Sequence, residues 1–181
     1  MKILHVLHAY PPSVGGIQHL FQNISERLVH RFGDAVAVYT TTAYQNALFW
    51  APNQPELPRG VETHNGVLVR RFAVWNHLPG LRLNVARVAH KFNFPGEDWL
   101  RGLYFGPIVP GLTRAVASSE ADLVVASAFP LLHMHLALRG ARQSAKPVIF
   151  VGALHPADPW CFDRAMIYLS LIHISEPTRP Y

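Results

Sequence analysis

The chain has 181 residues, of which 50% are hydrophobic and 15% charged, so it is the size of one globular domain and not a disordered polymer. Its net charge is +5 and its pI about 9.7, yet the basic residues are scattered, with no run longer than Arg70-Arg71, which argues against a nucleic-acid stripe. A single cysteine, Cys161, excludes an internal disulfide and a cysteine-based zinc site, and points to a reducing, cytoplasmic compartment.

The first thirty or so residues organise the rest. Ile3-Leu4-His5-Val6 is an apolar run of the kind buried on both faces of a sheet. Tyr10-Pro11-Pro12 ends it, because proline has no N–H to give a ladder. The same turn interrupts the apolar run too early for a secretory signal, and no stretch approaches the ~20 apolar residues that span a bilayer. Gly15-Gly16 then opens a predicted helix to Phe32, with Ile17, Leu20, Phe21, Ile24, Leu28 and Val29 as its apolar stripe. A helix N-terminus reached through glycine offers free N–H groups and a positive dipole end, which suits a phosphate. Gly33 stops the helix, and Ala35–Thr41 is a second buried strand, so the unit is a parallel crossover.

Residues 44–58 hold three prolines, two asparagines and little periodicity, which predicts a long loop. Val61–His64 and Val67–Phe72 flank Asn65-Gly66, a strong hairpin signal. Within 75–94, Leu78, Leu81, Leu83, Val85 and Val88 predict a short helix. A second helical pattern from Trp99 to Val116 is broken at Gly106-Pro107 and Pro110-Gly111. Ala121–Ser127 is a strand, 129–142 a helix starting near Pro130, and Lys146–Gly152 a further strand. A loop from Gly152 to Trp160 leads to a helix at 162–168. This alternation predicts an α/β fold, a Rossmann-like, doubly wound, mostly parallel sheet with helices on both faces.

Two common nucleotide signatures are missing. The glycine turn lacks Gly-x-Gly-x-x-Gly, and the second strand ends in Tyr39-Thr40-Thr41-Thr42 with no acid for a ribose, which counts against a nicotinamide or flavin oxidoreductase. There is no phosphate-loop Gly-Lys-Ser/Thr either. Histidines number eleven, but His5 and His8 fall on different faces of a strand, and His133 and His135 are two apart on a helix. No metal site and no cofactor are expected.

Ile3-Leu4-His5-Val6, Tyr10-Pro11-Pro12, Gly15-Gly16 opening a helix, and Val36–Thr41 closing the unit resemble the N-terminal half of retaining glycosyltransferases of the GT-B fold, family four. The Asn65-Gly66 hairpin with Val69-Arg70-Arg71-Phe72, and Lys146-Pro147-Val148-Ile149 followed by Leu154-His155-Pro156, are similar to that family too. The resemblance implies one lobe of a two-lobe enzyme, the acceptor-side lobe, spanning residues 1–168. The intact enzyme would move a hexose from a nucleotide-diphosphate sugar to a hydroxyl acceptor with retention. It implies that Gly15 and Gly16 meet the donor diphosphate through their backbone and that His155 sits at the reacting centre. Tyr10, Gln18, His19 and Asp158 are the candidates for acceptor binding. On the residues alone, a surface loop histidine is the favoured reading of His155 and an exposed loop acid that of Asp158.

The family's acidic Glu-x7-Glu element and its phosphate-neutralising basic pair belong to a C-terminal half that this sequence lacks, so the fragment is expected to turn over little or nothing. Residues 169–181 are expected to be a non-native tail, since Leu169–Arg179 resembles the translated read-through of a sequencing-library adapter. The expected partners are the nucleotide-sugar donor and a glycan, lipid-linked or small-molecule acceptor, with peripheral membrane contact left open and no nucleic acid. The alternative is a non-catalytic α/β binding module, or a subunit that works with a partner chain.

Overall fold

The structure is a computed structural model, and it describes residues 1–128 and 131–152, the side chain of Asp98 aside. Its elements are β1 (Lys2–Val6), α1 (Gly16–Phe32), β2 (Ala35–Thr41), a short 3-10 turn (Asn46–Phe49), β3 (Gly60–His64), β4 (Val67–Phe72), α2 (Pro79–Lys91), α3 (Glu97–Phe105), α4 (Leu112–Ala117), β5 (Leu123–Ser127), α5 (Leu132–Gln143) and β6 (Val148–Val151). They build a six-stranded sheet in the order β3-β4-β2-β1-β5-β6, in which every pairing is parallel except β3 with β4. The predicted α/β, Rossmann-like architecture is what the chain adopts. The predicted helix start at Phe129-Pro130, the loop around His155, the predicted helix at 162–168 and the tail 169–181 lie outside the described residues.

β1 is central because its side chains alternate between two apolar layers. Ile3 and Leu7 join Phe21, Val36, Val38, Val67 and Val69 on the α1 side. Leu4 and Val6 join Val124, Ala126, Met134 and Leu138 on the side of α4 and α5. Each large side chain so buried contributes about 1.5–3 kcal/mol, which is why a strand apolar on both faces belongs in the middle of the sheet. The hairpin forms as its turn chemistry demands, since Asn65 and Gly66 have φ of 48° and 81°, the left-handed values of a type I′ turn.

Two predicted details differ. The apolar stripe of α1 reaches the core through Ile17, Phe21, Leu28 and Val29, but Leu20 and Ile24 are exposed and the polar Gln18 and Ser25 are buried in their stead. Ser25 faces His5, whose Nδ1 lies 2.8 Å from Ser25 Oγ and whose ring meets Phe21 edge-on, so a polar pair occupies the helix–sheet seam. The segment read as a plain loop carries a core plug, because Leu48 and Phe49 of the 3-10 turn are fully buried beside Ala43. The helical pattern at 99–116 is broken where its glycines and prolines predict, into α3 and α4 on either side of Gly106-Pro107 and Pro110-Gly111. α2 packs on α3, and α3 on α5, so this pair stands outside the sheet and its two covering layers.

Candidate functional site

In an open parallel sheet, ligands bind beyond the carboxyl ends of the strands where the strand order reverses. Here β1 leads outward to β2 and then β4 on one side, and to β5 and β6 on the other, so that point lies between β1 and β5. The chain leaving β1 there is the turn from Leu7 to Gly15.

The turn is fixed from several elements. Leu7 N–H donates to Tyr39 O at 2.9 Å and extends the β1 ladder. Thr41 Oγ1 donates to the carbonyl of His8, and Ala43 N–H returns to Thr41 Oγ1 at 3.1 Å. Ser13 Oγ donates to Tyr44 O at 2.8 Å. Arg71, only 5% exposed at the end of β4, donates from Nη2 to the carbonyl of Pro11 at 2.6 Å and from Nη1 to Glu62 Oε1. The predicted Tyr10-Pro11-Pro12 turn is therefore held by side chains of β2 and β4, with a cis bond between the two prolines.

The turn delivers the chain to α1. Gly15 is its N-cap, with no side chain capping the first N–H groups and no acid in the first turn. This is the condition under which a helix N-terminus remains electropositive and open. The two glycines differ. A Cβ on Gly16 would meet nothing within 4 Å, and the residue is exposed. A Cβ on Gly15 would collide with Gln18 Oε1 at 2.4 Å. Its φ of 171° is extended backbone open to any residue, so Gly15 makes room for the folded-back Gln18 amide and is not required by its dihedral angles.

Of the acceptor candidates, His19 is exposed on the first turn of α1, and Gln18 is buried over Gly15. Tyr10 is 1% exposed and packs in the α1-side core, where burial pushes its hydroxyl's pKa up; in this arrangement it serves packing and does not line an open pocket. His155 and Asp158 lie outside the described residues, so their relation to the glycine turn stays an expectation.

A second group, which no sequence spacing brings together, lies at this end of the sheet. His8 is 4% exposed and His133, in the first turn of α5, is fully buried; their rings lie 6.0 Å apart, with Phe49 edge-on to His8 at 6.5 Å. His133 Nε2–H donates to Ser127 O at 2.7 Å, which leaves Nδ1 as the acceptor nitrogen. Neither His133 Nδ1 nor His8 Nδ1 has a hydrogen-bond partner. Burial pulls the pKa of His8 down to about 4 and that of His133 to about 3, the latter helped by its neighbour's charge, so both are neutral at pH 7. Ala128, between β5 and α5, holds φ at 79°, a strained value for a residue with a Cβ. His5 and His8 do point to opposite layers, as their spacing predicts. What spacing could not reveal is that His8 meets a histidine 125 positions later. The only hint was a polar ring following an otherwise apolar strand.

Among the described residues no group of three His, Cys, Asp or Glu side chains could hold a metal ion, and no helix is long and apolar enough to cross a membrane. No protein-family model matches the chain, and no curated protein matches it in sequence.

Proposed function

We propose that this chain is the acceptor-side lobe of a retaining sugar transferase, whose complete form moves a hexose from a nucleotide-diphosphate sugar to a hydroxyl acceptor. The observation that carries the reading is the open N-terminus of α1 at the strand-order reversal. Gly16 has empty space where a side chain would stand, and no side chain caps the N–H groups around it. A departing diphosphate placed there gains backbone hydrogen bonds and the positive end of the helix dipole without displacing protein atoms. Interactions of this kind accelerate transfer because they strengthen as charge develops on the leaving group.

In this reading the backbone of Gly15 and Gly16 meets the diphosphate, Gln18 holds the turn, and His19 reaches toward the acceptor. His155 stands beside the donor sugar and Asp158 near the acceptor hydroxyl, by the resemblance alone. The donor-binding half is a separate lobe, so this chain alone turns over little, and the reaction takes place in the cytoplasm. The resemblance of the Tyr10–Gly16 turn and the Asn65-Gly66 hairpin to family-four transferases supports the choice over other users of an open α/β sheet.

The test is made in the complete enzyme, with its C-terminal half supplied. Gly16→Trp is expected to abolish transfer and donor hydrolysis, while Gly16→Ala, which meets nothing, keeps the melting temperature and loses activity only in proportion to its intrusion on the phosphate. Activity of Gly16→Trp equal to wild type would overturn the phosphate contact.

A further inference from the structure

One exposed flank of α2 is apolar, between its buried face at Ala86 and Ala89 and its polar face at Asn84, Arg87 and Lys91. Leu78, Leu81, Val85, Val88 and Phe92 follow one another at steps of 3, 4, 3 and 4, and their exposures are 62%, 58%, 41%, 51% and 64%. At 3.6 residues per turn Leu81, Val85 and Val88 fall within an arc of roughly 60°, and Leu78 and Phe92 flank them as the two caps of the helix. The helix is anchored elsewhere, through the buried Ala86 and Ala89 and through Arg82, which donates to Phe49 O at 2.8 Å and Leu103 O at 3.2 Å. The stripe is thus left over after packing, and a contiguous apolar surface of this kind marks an interaction site.

The charge around it narrows the partner. α2 contains no Asp or Glu. Lys91 is exposed beside the Val88 edge of the stripe, and Arg87 is exposed further round the helix on the same side. The next acid with a described side chain, Glu97, is only 8% exposed and lies 3.1 Å from His90 Nδ1. A second copy of the same helix would place these cations against one another with no acid on the helix to answer them. An anionic surface would neutralise them. At the C-terminal end of the stripe the ring of Phe92 lies 5.7 Å from Lys91 Nζ, so an apolar side chain and a cation stand side by side, as at a lipid–water boundary. Behind the stripe, an open groove of about 420 Å³ between Val85, Val88, Phe94 and Leu100 is walled almost wholly by apolar atoms.

We propose that α2 lies flat on an anionic lipid bilayer, with the Leu78–Phe92 stripe inserted among the acyl chains and Arg87 and Lys91 at the phosphate level. The contact is peripheral, and it holds whether or not the chain transfers sugar, because it uses none of the residues around Gly16.

The experiment is co-sedimentation of the full chain with vesicles of phosphatidylcholine alone and of phosphatidylcholine mixed with phosphatidylglycerol. The full chain is expected to sediment with the mixed vesicles, and less so as salt is raised. Arg87→Gln with Lys91→Gln should weaken binding to the mixed vesicles roughly 30-fold, at about a factor of five per cation, and leave the neutral vesicles unaffected. Leu81→Gln with Phe92→Gln should weaken binding at least about tenfold, since two apolar side chains no longer insert. Leu81→Ala with Val88→Ala is the gentler pair should the first lower the melting temperature. The proposal is overturned if the full chain stays in solution with mixed vesicles, or if neither apolar pair alters binding. It is equally overturned, in favour of self-association, if the chain is a dimer that Leu81→Gln with Phe92→Gln converts to monomer while vesicles remain unbound. Gly16→Trp is expected to bind vesicles as wild type does, which separates this result from the transferase test.

Discussion

Arg71 reaches from β4 to the carbonyl of Pro11, sixty positions earlier in the chain, with Nη2 at 2.6 Å from the oxygen. The same guanidinium bonds Glu62 through Nη1, so one planar fork ties the hairpin to the turn that precedes α1. Arg71→Met should cost about 1–3 kcal/mol, the range for stranding partners of a buried donor. Arg71→Lys should recover little, because one ammonium cannot span both acceptors in the same geometry. Urea titration measures both. A loss under about 0.5 kcal/mol for Arg71→Met would mean that the Pro11 turn holds itself, as ordinary surface changes do.

Acid should unfold this protein earlier than its carboxylates alone would dictate. Burial lowers the pKa of His5 to about 4, of His8 to about 4 and of His133 to about 3, against 6.5 for a free imidazole. A group with a depressed folded pKa is protonated first in the unfolded chain. Its stabilising contribution is therefore complete above pH 6.5 and is lost as pH falls toward 4. Each histidine adds up to about 1.4 kcal/mol per pH unit within that window. Unfolding free energies measured from pH 7.5 to 5 should fall steeply, with a net uptake of protons on unfolding. His133→Gln should flatten the slope by about one proton, whatever it does to the absolute stability. A curve with no slope between pH 6.5 and 5 would contradict the burial of these rings.

Two glycines should answer alanine in opposite ways. A Cβ on Gly140 would sit 2.5 Å from Thr113 O and 2.8 Å from Val116 Cβ, where α5 crosses α4. Backbone cannot yield there, so Gly140→Ala should lose about 1–3 kcal/mol despite the better helix propensity of alanine. Gly80, in the first turn of α2, faces nothing within 4 Å, so Gly80→Ala should gain up to about 1 kcal/mol. Thermal melts of the two variants settle the comparison, and equal shifts would refute the close approach of α4 and α5.

Ser25→Ala tests the seam under α1. Its hydroxyl is the partner of His5 Nδ1 at 2.8 Å, and both side chains are buried. Removing it should leave the imidazole nitrogen without a partner and cost about 1–3 kcal/mol. Hydrogen exchange of the α1 amides should accelerate while that of α5 does not. Equal protection in wild type and variant would show the pair to be dispensable.

Much of the fold was legible because its strongest signals are local. Ala35–Thr41 reads as a strand from its own apolar run, and Asn65-Gly66 reads as a hairpin from its own backbone preference. What escaped depends on distant neighbours. Leu20 and Ile24 look like core, yet the helix turns Gln18 inward over Gly15 and Ser25 inward to His5 on β1. Leu48 and Phe49 lie among prolines and asparagines, where four residues are too few to show a period, and they still plug the core. At the site, the glycines and the Tyr10 turn were visible as motifs. The burial of Tyr10, the grip of Arg71 and the meeting of His8 with His133 belong to the sheet's strand order, which no local window contains.

The hairpin also sets the rim of the molecule. Among the described residues β3 has β4 as its sole ladder partner, and all five of its residues are exposed. Its outward amides and carbonyls form an unfinished margin onto which another extended chain could be laid. The shortness of the strand and the charge of Glu62 both work against that event. Substituting Glu62 with an apolar residue would remove that guard and, by releasing one arm of Arg71, unsettle the far turn in the same stroke.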